Sequence, residues 1–324
     1  MLMKKLGFLS VLVLAVGASL WATGVVGPQD LTNGLEWTRS QATQFVRSAL
    51  AEQTDAQRRL GYLVGETWTP FLDEQLNRRT WPSHEAFLHM AVEFQLIAPG
   101  LQYGTLALAR EGTENTFDVA LLKIDPTQAH LRVLSEASDG FRHTTVRQLL
   151  QENGATAAIN ASLFDTEGQP LGLIIQNGEE YHPANGYAGY FVVKHGAPAL
   201  YINSEGMSTQ GVQEAIQGYP TLMQNYRIFD YAKDGEHARD IERRSAIAVQ
   251  PDGSILLLAT DVLLDGLSFY ELSTILGALG ARDALALDGG RSTQLVIQTP
   301  SFRTSISGYD NVPVAIGVFP NVAP

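Results

Sequence analysis

From about residue 98 onward, apolar residues come in short blocks separated by glycine, proline, asparagine and aspartate turns. Runs at 105–109, 117–124 and 130–134 read as strands. The segment 145–153 carries helical spacing and is closed by Gly154. Strand-like runs resume at 157–160, at 171–176 ahead of Asn177-Gly178, and at 189–194 ahead of His195-Gly196. They continue at 246–249, closed by Pro251-Asp252-Gly253, then at 255–260, 295–297 and 314–319. Turn-separated strands with few helices predict an α+β fold. Its expected core is a mixed, largely antiparallel sheet with flanking helices. No repeat or low-complexity segment interrupts this.

One stretch of this pattern is sharply specified. Ser268 and Glu271 have the spacing of a capping box, and Leu272, Ile275, Leu276 and Leu279 then line one helical face. Gly280 can end that helix. The apolar run Ala284-Leu285-Ala286-Leu287 follows as a buried strand, and directly behind it stands Asp288-Gly289-Gly290-Arg291-Ser292. A carboxylate thus surfaces where a rigid strand ends, beside two residues that let the backbone approach a ligand closely. Arg291 adds a planar fork of donors suited to phosphate. By residue type alone, the same pentapeptide also fits an Asp-Gly hairpin turn.

The N-terminal part differs in texture. Residues 41–59 are polar with spaced apolar positions, and 68–76 and 84–96 give further helical turns, so a helical N-terminal extension is expected over 30–97. The main domain is expected over 98–320. Ahead of both, Lys4 and Lys5 precede an uncharged apolar run, which reads as a signal peptide or membrane anchor over 1–24. This implies export to a periplasmic or cell-envelope location, with membrane contact only through an uncleaved leader.

Bulk composition narrows the chemistry. The chain of 324 residues has 45% hydrophobic and 17% charged residues, a globular balance with enough chain for a full core. Its net charge of −12 argues against nucleic acid as a partner. With no cysteine, disulfides, thiol nucleophiles, zinc–thiolate sites and iron–sulfur clusters are excluded. His84-Glu85 and His89 miss the spacing of a helical zinc site, and no P-loop, dinucleotide fingerprint or nucleophile elbow occurs.

Several motifs fall in one order. They are Asn160-Ala161-Ser162-Leu163-Phe164-Asp165, Leu171-Gly172 to Asn177-Gly178, Gln217-Gly218-Tyr219-Pro220, Arg244-Ser245-Ala246-Ile247-Ala248, Asp261, and Leu287-Asp288-Gly289-Gly290-Arg291-Ser292. Over about residues 98–320, this series resembles the phosphodiester glycosidase family. The resemblance implies a hydrolase of sugar-1-phosphodiesters, or a relative acting on envelope or exopolysaccharide glycans. It matches Asn160, Arg244, Asp261, Asp288 and Ser292 to family positions. Departures are Ala161-Ser162 for a glycine pair, Tyr219 and Arg291 for glycines, and Asp310-Asn311 where an arginine is usual before the last strand.

Such a reaction passes through an oxocarbenium-like state that a carboxylate can stabilise, attack or serve by activating water. On that basis Asp288 is expected as base or nucleophile, Arg244 as phosphate clamp and Asp261 as second carboxylate. Asn160, Gly289, Gly290, Arg291 and Ser292 are expected to bind substrate. Plainer roles compete: ion pairing of Arg244 with Asp240 and Glu242, a turn at Asn160, a loop cap at Asp261, a turn at Asp165, a solvent-facing Arg291. No cofactor or metal is expected, since Asp261 and Asp288 alone do not specify a divalent cation. The expected partner is a glycan or sugar-phosphodiester substrate. A non-catalytic glycan-binding relative and a metal-dependent phosphodiesterase are the alternatives.

Overall fold

The computed structural model describes residues 58–70, 92–186, 189–202, 208–235, 237–262 and 265–321. Its strands form three sheets. The first and largest runs from Arg227–Ile228 through Thr221–Gln224, Asp283–Ala286, Ser245–Val249 and Ile255–Asp261. It then continues through Thr116–Ile124, Leu101–Arg110 and Leu60–Val64 to Thr67–Pro70, with Gln95–Ala98 beside Leu101–Arg110. The second orders Ala197–Ile202, Gly189–Lys194, Val212–Gly218, Ile174–Gln176 and Glu179–His182. The third orders Arg303–Ile306, Leu295–Gln298, Ala157–Asn160, Val314–Pro320 and Ala129–Ser135.

Side-chain alternation explains how these sheets stack. Along Thr116–Ile124, Ala120, Leu122 and Ile124 face a core shared with Ile159 and Ile316 of the third sheet and Phe191 and Ile216 of the second. Val119 and Leu121 point the other way, into a cluster with Leu272, Ile275 and Leu276. Those three belong to the helix Phe269–Ala278, α3 below, which covers the outer face of the first sheet. A shorter helix Val146–Asn153, α1, covers the outer face of the third sheet through Val146, Leu149 and Leu150 against Ala158, Val296 and Ala315. Between them in sequence lies α2, Asp230–Asp234. Each fully buried aliphatic side chain contributes about 1.5–3 kcal/mol relative to exposure.

Both longer helices begin as the sequence predicts. Thr145 caps α1 by accepting from the Gln148 amide at 3.1 Å, and Gly154 leaves it at φ 66°. At α3 the Glu271 amide donates to Ser268 Oγ at 3.1 Å, and the Ser268 amide donates to Glu271 Oε2 at 2.8 Å.

Three expectations need correction. The helical extension over 30–97 does not hold where it is described: Leu60–Val64, Thr67–Pro70 and Gln95–Ala98 are strands of the first sheet. Backbone pairing with Leu101–Arg110 outweighed a polar-and-apolar spacing that looked helical. The remainder of that extension, and the leader, lie outside the described residues. Secondly, every paired strand is antiparallel, so the sheet is not mixed among the described residues. Thirdly, helices are few there, and the architecture is predominantly antiparallel β rather than α+β.

Candidate active site

The strand Asp283–Ala286 lies inside the first sheet, between Thr221–Gln224 and Ser245–Val249. Its pairing runs one step further, the Leu287 amide donating to Ser245 O at 2.9 Å. The chain then leaves for the third sheet: the Asp288 amide donates to Ala161 O at 2.8 Å. Asn160 Nδ2 donates back to Asp288 O at 2.5 Å. Asp288 is therefore held from both sides of the central core.

The glycines are required by what lies behind them. A Cβ on Gly289 would sit 2.8 Å from Arg243 O, and Gly290 turns at φ 59° with its amide donating to that same carbonyl at 2.7 Å. A single 3-10 turn, Gly290–Ser292, follows.

Asn160 is wholly buried at the end of Ala157–Asn160. Its Oδ1 accepts from Ser245 Oγ at 2.7 Å and from the Gln294 amide at 3.0 Å. With the bond to Asp288, these contacts tie the first sheet to the third. The Asn160 side chain, expected to bind substrate, instead holds the Asp288 carbonyl, Ser245 and the Gln294 amide.

Burial dominates the electrostatics of Asp288 and raises its pKa to about 6. Bonds accepted from the Ser292 hydroxyl and the Gly289 amide oppose that rise, and the charge of Asp310 adds to it. Ser292, expected to bind substrate, is itself buried and its hydroxyl donates to the Asp288 carboxylate.

Arg244 lies across from this strand end but is committed elsewhere. Its Nε donates to Leu267 O at 2.8 Å and its Nη2 to Asp240 O at 2.6 Å, while its guanidinium stacks 3.7 Å over the Phe269 ring. Burial lowers its pKa to about 10. No hydrogen bond or ion pair joins it to Asp288 among the described residues. Only Nη1 faces the turn, 3.7 Å from where a Gly289 Cβ would stand.

Asp261 ends the strand Ile255–Asp261, exposed and directly opposite Asp118. Burial and the Asp261 charge raise the pKa of Asp118, so the carboxylate neighbour of Asp261 is Asp118. Arg291 is exposed and forked onto Asp310, with Nε at 3.0 and 2.9 Å and Nη2 at 2.8 Å from its oxygens. Asp165 closes a turn, accepting from the Gln169 amide at 2.8 Å. No group of three or more carboxylates or histidines placed to hold a metal is found among the described residues.

Arg243 escaped the sequence reading. It is buried beneath Tyr309, whose ring lies 5.2 Å from its guanidinium, and its Nη2 donates to Thr293 O at 3.2 Å and Ser307 O at 2.9 Å. Strand alternation sends it toward the third sheet while Arg244 turns toward α3. Only that alternation, applied to adjacent arginines, was available as a signal.

Comparison with known proteins bears on this site. The phosphodiester glycosidase family model matches residues 153–319, which contain Asn160, Arg244, Asp261, Asp288 and Ser292. Among solved structures, the zebrafish N-acetylglucosamine-1-phosphodiester alpha-N-acetylglucosaminidase catalytic domain, auto-inhibited by its pro-peptide, is similar at TM-score 0.55 and 15% identity. The match covers 71% of this chain and 88% of that one. An exported-protein candidate from Burkholderia pseudomallei is similar at TM-score 0.51 and 13% identity, over 71% of this chain and 96% of that one. Identities this low show shared fold alone. No curated protein matches the sequence.

Proposed function

Because this chain belongs to the phosphodiester glycosidase family, we propose that it hydrolyses the glycosidic bond of sugar-1-phosphodiesters or of related envelope glycans. The observation that carries this reading is the desolvated Asp288, its pKa near 6, at a strand end opened by two glycines. Near neutral pH such a carboxyl is ionised yet poorly solvated. It can meet a developing glycosyl cation as nucleophile, or take a proton from attacking water.

The remaining residues support that role by position. Asn160 fixes the Asp288 backbone, and Ser292 and the Gly289 amide hold its carboxylate. Phosphate is a good leaving group, so neutralising its charge matters more than protonating it. Arg244 presents Nη1 toward the turn for that purpose. Asp261, beside Asp118, supplies the second acidic position at the neighbouring strand end. Export is part of the proposal, on the strength of the apolar leader behind Lys4 and Lys5. Among the described residues, no helix is long and apolar enough to cross a membrane.

Hydrolysis of a panel of sugar-1-phosphodiesters by the purified protein, with Asp288→Asn as control, tests the reading. Turnover by the parent and loss of at least about a hundredfold in the variant are expected. Equal rates would remove Asp288 from the chemistry, and an inert parent would favour glycan binding without catalysis. Solvent ¹⁸O should enter the sugar; label in phosphate would instead mean cleavage of the P–O bond.

A further inference from the structure

Among the described residues, four buried side-chain polar atoms in the segments that hold the Asp288 turn have no hydrogen-bond partner. They are Arg243 Nε and Nη1, Thr293 Oγ1 and Ser162 Oγ. Arg243 carries the carbonyl that receives the Gly290 amide, and Thr293 follows the 3-10 turn directly. Ser162 follows Ala161, whose carbonyl receives the Asp288 amide. Thr293 and Arg243 are in contact, since Arg243 Nη2 donates to Thr293 O.

Leaving a buried donor unpaired costs about 1–3 kcal/mol, and more for a charged one. Native folds rarely carry such groups without a ligand or ordered water to meet them. Among the described residues Arg243 makes no salt bridge; Tyr309 and Asp261 act on it only through space. Of the other two arginines near the turn, Arg244 spends Nε and Nη2 on backbone carbonyls and keeps only Nη1 toward the turn, and Arg291 is forked onto Asp310. Arg243 is the guanidinium there with two buried donor nitrogens, Nε and Nη1, left without a partner among the described residues.

We propose that Arg243, with the hydroxyl of Thr293, forms an anion site behind the Asp288-Gly289-Gly290 turn that accepts a phosphate group. Tyr309, half exposed and lying over the guanidinium, forms its outer wall. Guanidinium and hydroxyl donors together suit phosphate oxygens, and the hydroxyl adds no competing charge. The further assignment, that this anion is the phosphodiester of the substrate, rests on the glycosidase reading. The anion site itself does not.

Titration of the full chain with inorganic phosphate, followed by calorimetry and by thermal unfolding, tests the proposal. The parent should bind and gain in Tm. Arg243→Met should weaken binding at least about tenfold, and Thr293→Val by a few-fold, whereas Lys123→Met, beside Asp252 at the opposite end of the Ser245–Val249 and Ile255–Asp261 strands, should bind as the parent does. Should Arg243→Met fail to fold, Arg243→Lys keeps the charge with a narrower set of donors, and is expected to lose about tenfold with an unchanged circular dichroism spectrum. Parent-like binding by a folded Arg243 variant overturns the site, as does a parent without a phosphate response at about 10 mM, where even weak sites fill. Phosphate binding without hydrolysis would sink the glycosidase reading and keep the site. Hydrolysis without phosphate binding would do the reverse.

Discussion

Asp288 sheds most of its water where its strand ends, and a carboxyl in that setting resists ionisation. Its folded pKa, about 6, lies above the ordinary 3.8, so the folded state holds the extra proton between those values. The contribution to stability is then largest in acid and is lost as pH rises through about 6. Asp288→Asn should raise Tm at pH 7.5, by the equivalent of about 1–2 kcal/mol, and change it little at pH 4. A fall in Tm at pH 7.5 would contradict the desolvation account. In the parent, kcat/KM should drop below about pH 6, as protonation removes the nucleophile or base. Asn160→Ala strips three buried hydrogen bonds at once and should cost about 2–4 kcal/mol, read from the denaturant midpoint. A loss below about 0.5 kcal/mol would mean that water replaces the amide.

The best-marked element is α3, where hydroxyl and carboxylate spacing on paper became a reciprocal cap in space. Ser268→Ala should lower stability by about 1 kcal/mol, as seen in chemical unfolding. The strands legible in the sequence were the buried ones with near-continuous apolar runs, such as Ala157–Asn160, Gly189–Lys194 and Ile255–Asp261. Those that escaped are short or carry polar residues. Arg303–Ile306 lies at a sheet edge, Val212–Gly218 contains Gln213, Glu214 and Gln217, and Thr67–Pro70 ends on proline. Their strand character comes from partners distant in sequence, which no local window contains. The same limit applies at the site. Asp288 and its glycines announce themselves by local chemistry, but Arg243 and Arg244 differ only in the sheet face each reaches. Likewise, nothing local foretells that Arg291 meets Asp310 or that Asp261 meets Asp118.

Across the whole molecule, three sheets share one core, and Phe191 of the second sheet is fully buried within it. Phe191→Ala should cost about 3–5 kcal/mol and lower the midpoint of a single unfolding transition. Two separated transitions would show that the second sheet melts on its own.

The third sheet is threaded so that Val314–Pro320 sits between Ala157–Asn160 and Ala129–Ser135, with Ala315 opposite Asn160. A strand made late in synthesis therefore completes a layer begun near its middle. Until Val314–Pro320 docks, one edge of Ala157–Asn160 stays open, so the layer from which Asn160 reaches the Asp288 carbonyl closes last.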